Sequence, residues 1–151
     1  MPKPTKDIPA EYHDILEMKC FPHVATIRPD GMISNNPICL VWDGKYVRFS
    51  TTKGRAKYHN LVADDRIALS IPDPRNIWRY IEIRGRVTLV DDVDRSFVNR
   101  IARKYMDMDE YIFDSPGDER VTVTVHPEQV SAVGVNPEYN DGQVPEDWTK
   151  G

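Results

Sequence analysis

The sequence predicts a mainly β protein, a β-barrel with appended helices, and three observations lead to that prediction. Six or seven short segments have the alternating or compact apolar pattern of strands, and turn residues separate most of them at hairpin spacing. Only three short segments have a helical period, and they fall at connections between strands. A doubly wound sheet would need a helix after nearly every strand. At 151 residues, the chain fits one domain with one core.

The beginning of the chain predicts a helix and a hairpin. Residues 1–7 are rich in proline and lysine and predict a loose tail. A helix is predicted over residues 9–19, because its proline suits a first turn and apolar side chains recur on one stripe. A strand over residues 21–27 then runs into a turn at residues 28–31, where proline and glycine occupy favoured positions.

The predicted second strand, residues 32–42, has an unusual polar centre. Asn35, Asn36 and Pro37 belong to residue types that are depleted in strand interiors. One interpretation is an edge strand that is blunted against aggregation. The other is a backbone bent away from its neighbour, which leaves N–H and C=O groups free for a planar ligand. After an Asp-Gly hairpin signal, residues 46–51 alternate as a third strand.

The middle of the chain predicts one more short helix and two strands. The helix covers residues 56–63 and ends at two aspartates, and a compact apolar strand follows over residues 66–71. A polar link with aromatic character, residues 75–79, leads into the longest strand, residues 80–90. Because one face of that strand is apolar and the other charged, it lies either on the outside of a single core or at an interface between subunits.

The last third of the chain predicts a helix, a loop and two strands. The helix over residues 91–105 starts with acidic residues at its positive end. Residues 106–119 are expected to form loop and turn. Alternating residues predict a strand at 120–125, and after a His-Pro pair a further strand is expected at 129–133.

Composition limits the possible environments and partners. The predicted domain spans residues 8–135, with flexible tails at 1–7 and 136–151. A net charge of -4 disfavours a general nucleic-acid binder, and no apolar run is long enough for a membrane helix, so we expect a cytoplasmic protein without a nucleic-acid or membrane partner. Cys20 and Cys39 are expected to be reduced, and no metal-ligand spacing is present.

Residues 49–61 concentrate hydroxyl and basic side chains at the start of the predicted second helix. Ser50 and Thr51 end a strand, and Arg55 and Lys57 follow a glycine. They lie near a helix N-terminus, where unpaired backbone N–H groups favour an anion. This pattern is typical of a phosphate site in outline, and a solvated basic turn is the alternative that the spacing leaves open.

No familiar catalytic set accompanies this cluster. The chain has no serine nucleophile elbow, no Walker loop and no histidines at ligand spacing, and its carboxylates fall at turns and helix starts. A phosphate site and a bent strand without an acid–base pair are expected where a bound cofactor carries the chemistry. No catalytic residue is therefore assigned.

The segment at residues 49–69 resembles a known family. It reads Phe-Ser-Thr-x-x-Gly-Arg-x-Lys-x-x-Asn-Leu-x-x-Asp-x-Arg-Ile-Ala-Leu, after a hairpin at residues 24–31 with Val-Ala-Thr-Ile and Asp-Gly. Over residues 10–133, the chain resembles the flavin- and deazaflavin-binding superfamily related to pyridoxamine 5′-phosphate oxidase. It is most similar to the coenzyme F420-dependent oxidoreductases of that group. The resemblance implies a split β-barrel, FMN-binding-protein-like, that forms a homodimer.

The resemblance also implies which residues hold the cofactor. Some would surround the phosphate, others would follow the cofactor ring through backbone groups, and a tryptophan would reach the site from the second subunit. In chain order, the implied residues are Asn35, Asn36, Pro37, Ile38, Ser50, Thr51, Arg55, Ala56, Lys57, Asn60 and Trp78.

The implied activity is that of an F420H2-dependent oxidoreductase that transfers a hydride from the deazaflavin to an electron-poor conjugated organic substrate. Positive charge from Lys53, Arg28 and Lys45 near the phosphate would favour F420, which has an acidic tail, over FMN. The tryptophan- and arginine-rich C-terminal segment of pyridoxamine 5′-phosphate oxidases is missing, so that specific activity is not expected. Two alternatives stay open: an FMN-binding oxidase or reductase of the same fold, and a non-catalytic carrier of F420, FMN or a tetrapyrrole.

Overall fold

The computed structural model describes residues 5–134, so most of the two predicted tails lies outside the described residues. A short 3-10 helix, Ala10–Tyr12, leads into α1 (His13–Glu17), and the other helices are α2 (Ala56–Ala63) and α3 (Ser96–Met106). The strands are β1 (His23–Ile27), β2 (Ile33–Pro37), β3 (Leu40–Trp42), β4 (Val47–Thr52), β5 (Arg66–Asp73), β6 (Asn76–Asp91) and β7 (Arg120–Val133). No helix within residues 5–134 is long and apolar enough to cross a membrane.

The seven strands form one antiparallel sheet in the order β2-β1-β5-β6-β7-β4-β3. Its two edge strands are consecutive in the chain, because only Ile38 and Cys39 separate β2 from β3. A flat sheet of this size would place its edges about 29 Å apart, since neighbouring strands lie about 4.8 Å from one another. The step from Pro37 to Leu40 reaches at most about 11 Å. The sheet must therefore coil until its edges approach, which confirms the predicted β-barrel with appended helices.

The prediction of one continuous strand over residues 32–42 is wrong. The segment breaks after Pro37, and its halves lie at opposite edges of the sheet. Within β2, Asn35 is paired with Ala25 and Pro37 with His23. Proline is tolerated there because β2 is an edge strand, and the chain then bends toward the other edge. The structure thus confirms the edge strand and shows a bend after Pro37, whereas backbone groups free for a planar ligand stay a prediction.

The core fills the inside of the coiled sheet. Alternate residues of β5 and β6 point inward, and Phe49 of β4 is fully buried among them. One end of the barrel is covered by α1, whose Ile15 and Leu16 are fully buried. The predicted helix over residues 9–19 is therefore shorter than expected, because the backbone turns extended at Met18.

A buried ion network fixes this covered end to the sheet. Arg79 is 1% exposed, and its guanidinium donates to Asp73 at 2.9 Å and to Asp14 at 2.8 and 2.9 Å. A further bond runs from Arg79 to the Glu11 carbonyl at 2.6 Å. The predicted link over residues 75–79 is thus wrong for most of its length, since β6 already begins at Asn76.

The second half of the chain departs from expectation in two places. The strands predicted at 120–125 and 129–133 form the single strand β7, which passes the His-Pro pair with a register shift opposite Gly85. Helix α3 begins at Ser96 rather than at residue 91. The carboxylate of Asp92 accepts the N–H groups of Phe97 and Val98 at 3.1 and 2.9 Å, so this acidic residue caps the helix from outside.

Candidate functional site

The candidate site forms where β4 ends and α2 begins. Arg55 precedes the helix with an extended backbone, φ -87° and ψ 147°, and no side chain caps the helix start. The N–H groups of Ala56 and Lys57 therefore belong to the first turn, which has no intrahelical acceptors for them. Together with the helix dipole they favour an anion in front of the helix.

Lys57 brings a half-buried positive charge to this position. Burial, reinforced by the neighbouring charge of Arg55, lowers the pKa of the Lys57 ammonium from 10.5 to about 8. Its Nζ lies 5.9 Å from the centre of the Phe49 ring. Within residues 5–134, neither Lys57 nor Arg55 forms an ion pair with a carboxylate. An anionic ligand would offset the free-energy cost of burying the Lys57 ammonium.

Two hydroxyl-bearing residues at the end of β4, Ser50 and Thr51, border the same place. Thr51 is 1% exposed, and its Oγ1 has no hydrogen-bond partner among the described residues. Such buried unpaired polar atoms are rare because they forfeit hydrogen bonds to water. Ser50 Oγ accepts a hydrogen bond of 3.3 Å from Arg120. Thr51, with this unused hydrogen-bonding group, lines the same cavity as Arg55 and Lys57.

These groups line a cavity of about 310 Å³. The segment that joins the sheet edges forms one wall through Pro37, Ile38 and Cys39, and Phe21 adds to it. The rest of the apolar lining comes from α3 and the loop behind it, with the residues Val98, Ile101, Met106 and Tyr111. The cavity is thus cationic at one end and apolar at the other, an arrangement that suits a planar ring with a phosphate on a chain.

Arg120 is a site residue that the sequence did not reveal. Arg120 is the first residue of β7, where it pairs with Thr52, and it is 8% exposed. Its guanidinium carbon lies 4.5 Å from the centre of the Tyr111 ring. Asp114 accepts hydrogen bonds of 2.5 to 3.1 Å from its guanidinium, and these bonds hold the pKa of Asp114 below its ordinary value. The only sequence signal was an arginine directly before an alternating strand, which does not identify its neighbours.

The structure brings six of the predicted site residues to the cavity, namely Pro37, Ile38, Ser50, Thr51, Arg55 and Lys57. The remaining five predicted residues do not line it. Asn35 is exposed on β2, and Ala56 is exposed at the start of α2. Asn36 is half-buried, and its Oδ1 has no partner among residues 5–134.

Asn60 and Trp78 also lie elsewhere. The amide of Asn60 is 3% exposed and donates to the Thr26 hydroxyl at 3.1 Å, so it ties α2 to β1. Trp78 is 74% exposed on β6. Within one chain, neither side chain contributes to the cavity lining.

The additional cations expected near the phosphate are engaged at other places. Lys53 donates to Asp91 at 3.0 Å, and Arg28 lies 3.6 Å from Asp30. Lys45 lies 5.1 Å from the centre of the Tyr46 ring, beside a different cavity. The surplus of charge that favoured a ligand with an acidic tail is therefore smaller than the sequence indicated.

Two larger cavities are less suited to an anion. One of about 340 Å³ lies on the outer face of the sheet, and its three arginines, Arg66, Arg84 and Arg86, are all paired with carboxylates. The other, of about 490 Å³, has Lys6 and Lys45 at its edge, and both are well exposed to solvent. No cluster within residues 5–134 could hold a metal ion.

Comparisons with known proteins identify the family of this chain. The sequence profile of the pyridoxamine 5′-phosphate oxidase family matches residues 8–134. A solved structure named F420 reductase is 36% identical and superposes with a TM-score of 0.72, covering 82% of this chain and 98% of its own. No curated protein matched the chain.

More distant structures share the fold. A conserved hypothetical protein from Mycobacterium tuberculosis is 17% identical with a TM-score of 0.67, covering 88% of this chain and 89% of its own. A pyridoxamine 5′-phosphate oxidase-related, FMN binding protein from Nostoc punctiforme PCC 73102 is 17% identical with a TM-score of 0.53, covering 73% of this chain and 72% of its own. The extent of the profile match, over most of the described chain, shows that this protein belongs to the pyridoxamine 5′-phosphate oxidase family.

Proposed function

We propose that the protein is an oxidoreductase that binds reduced coenzyme F420 in the cavity and directs a hydride to an electron-poor conjugated substrate. The observation that carries this proposal is the pair Arg55 and Lys57, two cations without an acidic partner within residues 5–134, beside the unsatisfied hydroxyl of Thr51. Similarity to the structure named F420 reductase supports F420 as the cofactor.

The residues of the chain would bind and orient. Arg55, Lys57 and the first N–H groups of α2 would hold the phosphate, and Thr51 would donate its hydroxyl proton to a phosphate oxygen. Bound F420 would supply the hydride. The apolar residues of α3 would exclude water from one face of the ring, and the open side would admit the substrate. The proton that completes the reduction would come from solvent.

A homodimer is part of the proposal. A cavity of about 310 Å³ is at the small end of the range for organic ligands. A cofactor as large as F420 would therefore extend beyond the surface of one chain. Trp78 is 74% exposed and Ile77 is 48% exposed, which is unusual for two adjacent large apolar residues. In a second copy, Trp78 would complete the cavity from outside.

Titration of the purified protein with F420 and FMN, side by side, tests the proposal. Replacing Arg55 and Lys57 together by alanine removes two charge-assisted contacts of about 1.5–3 kcal/mol each, so affinity should fall by well over tenfold. Lys53→Ala is the matched control, since Lys53 is a neighbouring cation that pairs with Asp91 instead of lining the cavity. Equal affinities for the double variant and the control would refute the phosphate assignment.

FMN is the second candidate cofactor, and the charge count favours it. Arg55 and Lys57 match the two negative charges of a single phosphate monoester, whereas the other nearby cations already have partners. FMN that binds more tightly than F420 would select this alternative. A protein that binds either cofactor but never oxidises its reduced form with any member of a substrate panel would be a carrier.

A further inference from the structure

The two backbone segments that form one cavity wall meet at the C-terminal end of α3. The hydroxyl of Tyr105 donates to the Cys20 carbonyl at 2.7 Å and accepts the N–H of Leu40 at 3.2 Å. Burial raises the pKa of Tyr105, so its hydroxyl stays protonated and can donate the hydrogen bond to the Cys20 carbonyl. One oxygen atom therefore joins the segment before β1 to the segment that crosses between the sheet edges.

The preceding residue of α3 makes a second connection. The Nζ of Lys104 donates to the Leu16 carbonyl at 2.8 Å and to the Leu40 carbonyl at 3.0 Å. Leu40 thus has both of its backbone polar groups bound by α3 side chains. In an antiparallel pair, a residue whose N–H and C=O point away from its neighbour needs another acceptor and donor. Since β3 is an edge strand, Lys104 and Tyr105 take the place of the missing strand.

The residues held in this way adjoin the residues that line the cavity. Phe21 follows Cys20 directly, and Cys39 directly precedes Leu40. A hydrogen bond of 2.9 Å from the Ile38 N–H to the Pro22 carbonyl links the two segments once more. The apolar end of the cavity is consequently built on backbone that α3 fixes from behind.

The same helix also faces the cavity directly. Val98, Ile101 and Met106 of α3 line it, whereas Lys104 and Tyr105 do not line it and instead bind the backbone next to the lining residues Phe21 and Cys39. One short stretch of helix therefore both lines the cavity and holds the backbone of other lining residues. A planar ring bound there requires those residues to keep fixed positions.

We propose that Lys104 and Tyr105 are positioning residues for the ring end of the bound cofactor, acting through the backbone of Leu40 and Cys20. This inference rests on the proposed function, because it assigns the apolar end of the cavity to a flavin or deazaflavin ring. Neither side chain lines the cavity. Their effect should therefore be specific to the ring and absent for the phosphate.

Tyr105→Phe tests the inference because it removes the hydroxyl and keeps the aromatic ring. Three ligands are titrated at a temperature where every variant is folded: F420, FMN and inorganic phosphate. Loss of two hydrogen bonds at the wall should weaken the preferred cofactor by about tenfold and alter its fluorescence anisotropy and absorption band, while phosphate affinity stays within about twofold. Lys104→Met should act in the same direction, and Lys104→Arg, which can still donate to two carbonyls, should restore part of the affinity.

Ile81→Val is the control for a general loss of stability, since Ile81 is fully buried in the core and does not line the cavity. It should lower the melting temperature without changing the bound spectrum. Tyr105→Phe and Lys104→Met variants that bind cofactor as the wild type does, or that lose phosphate and cofactor equally, would overturn the positioning role. A wild-type protein that binds phosphate but neither cofactor would instead refute the proposed function, and the inference with it.

Discussion

The pH dependence of anion binding is the sharpest consequence of the half-buried Lys57. Its ammonium has a pKa of about 8 because burial opposes the charge and Arg55 adds repulsion. A bound phosphate favours the charged form, so binding takes up a proton wherever the free protein has lost it. Affinity for FMN or F420 should therefore decrease as the pH rises above 7.

The size of this effect follows from the fraction of free protein that carries the proton. With a pKa of about 8, that fraction decreases about tenfold between pH 7 and pH 9, and the dissociation constant should rise by the same factor. Isothermal titration calorimetry at a series of pH values measures the change, and repeating it in two buffers of different ionisation enthalpy measures the proton uptake.

Lys57→Arg provides the matched comparison, because a guanidinium stays charged over the whole range. Its affinity should be flat between pH 7 and pH 9. A wild-type affinity that does not change, or a decrease of the same size in Lys57→Arg, would show that Lys57 does not titrate against the ligand.

Three further predictions concern stability. Lys57→Met should raise the melting temperature near pH 7, because it removes a positive charge that is costly to bury in the folded chain. In the wild type this cost decreases above pH 8, where folded Lys57 begins to lose its proton, and it is gone above pH 10.5, where the unfolded chain has lost the proton too. The gain in melting temperature should therefore disappear over that interval. Gly85→Ala places a Cβ against the carbonyl oxygen of His126, so urea unfolding should show a loss of about 1–3 kcal/mol or more. Arg79→Met leaves the fully buried Asp73 facing only Arg75, and calorimetric unfolding should show a loss of about 3–5 kcal/mol; an unchanged midpoint would contradict the buried ion network.

Local patterns predicted much of this fold. The bounds of α2 agree with the predicted residues 56–63, because a basic turn, a short helical period and two aspartates bracket it in the sequence. Arg55 and Lys57 were also predictable as a pair, since one helical turn fixes their proximity. Strand alternation identified the inward face of β6, because residues two apart in a strand share a face.

Features that depend on distant parts of the chain were not predictable. Arg120 reaches the cavity only because β7 pairs with β4, and the two segments are far apart in the sequence. Pro37 marked an irregular strand, but no local pattern tells that the next strand joins the opposite sheet edge. The cation Lys53 was placed correctly on the turn, yet its partner Asp91 lies at the end of another strand.

The way the sheet closes also determines when the site can exist during folding. The sheet closes because β5, β6 and β7 lie between the two halves of the edge-forming segment, which Ile38 and Cys39 join. The pairing of β4 with β7 connects segments that are far apart in the sequence, and such contacts slow folding. A nascent chain that ends before Arg120 lacks both the central strand β7 and the cavity residue Arg120 itself. The proposed site is therefore complete only when the strand that closes the middle of the sheet has been synthesised.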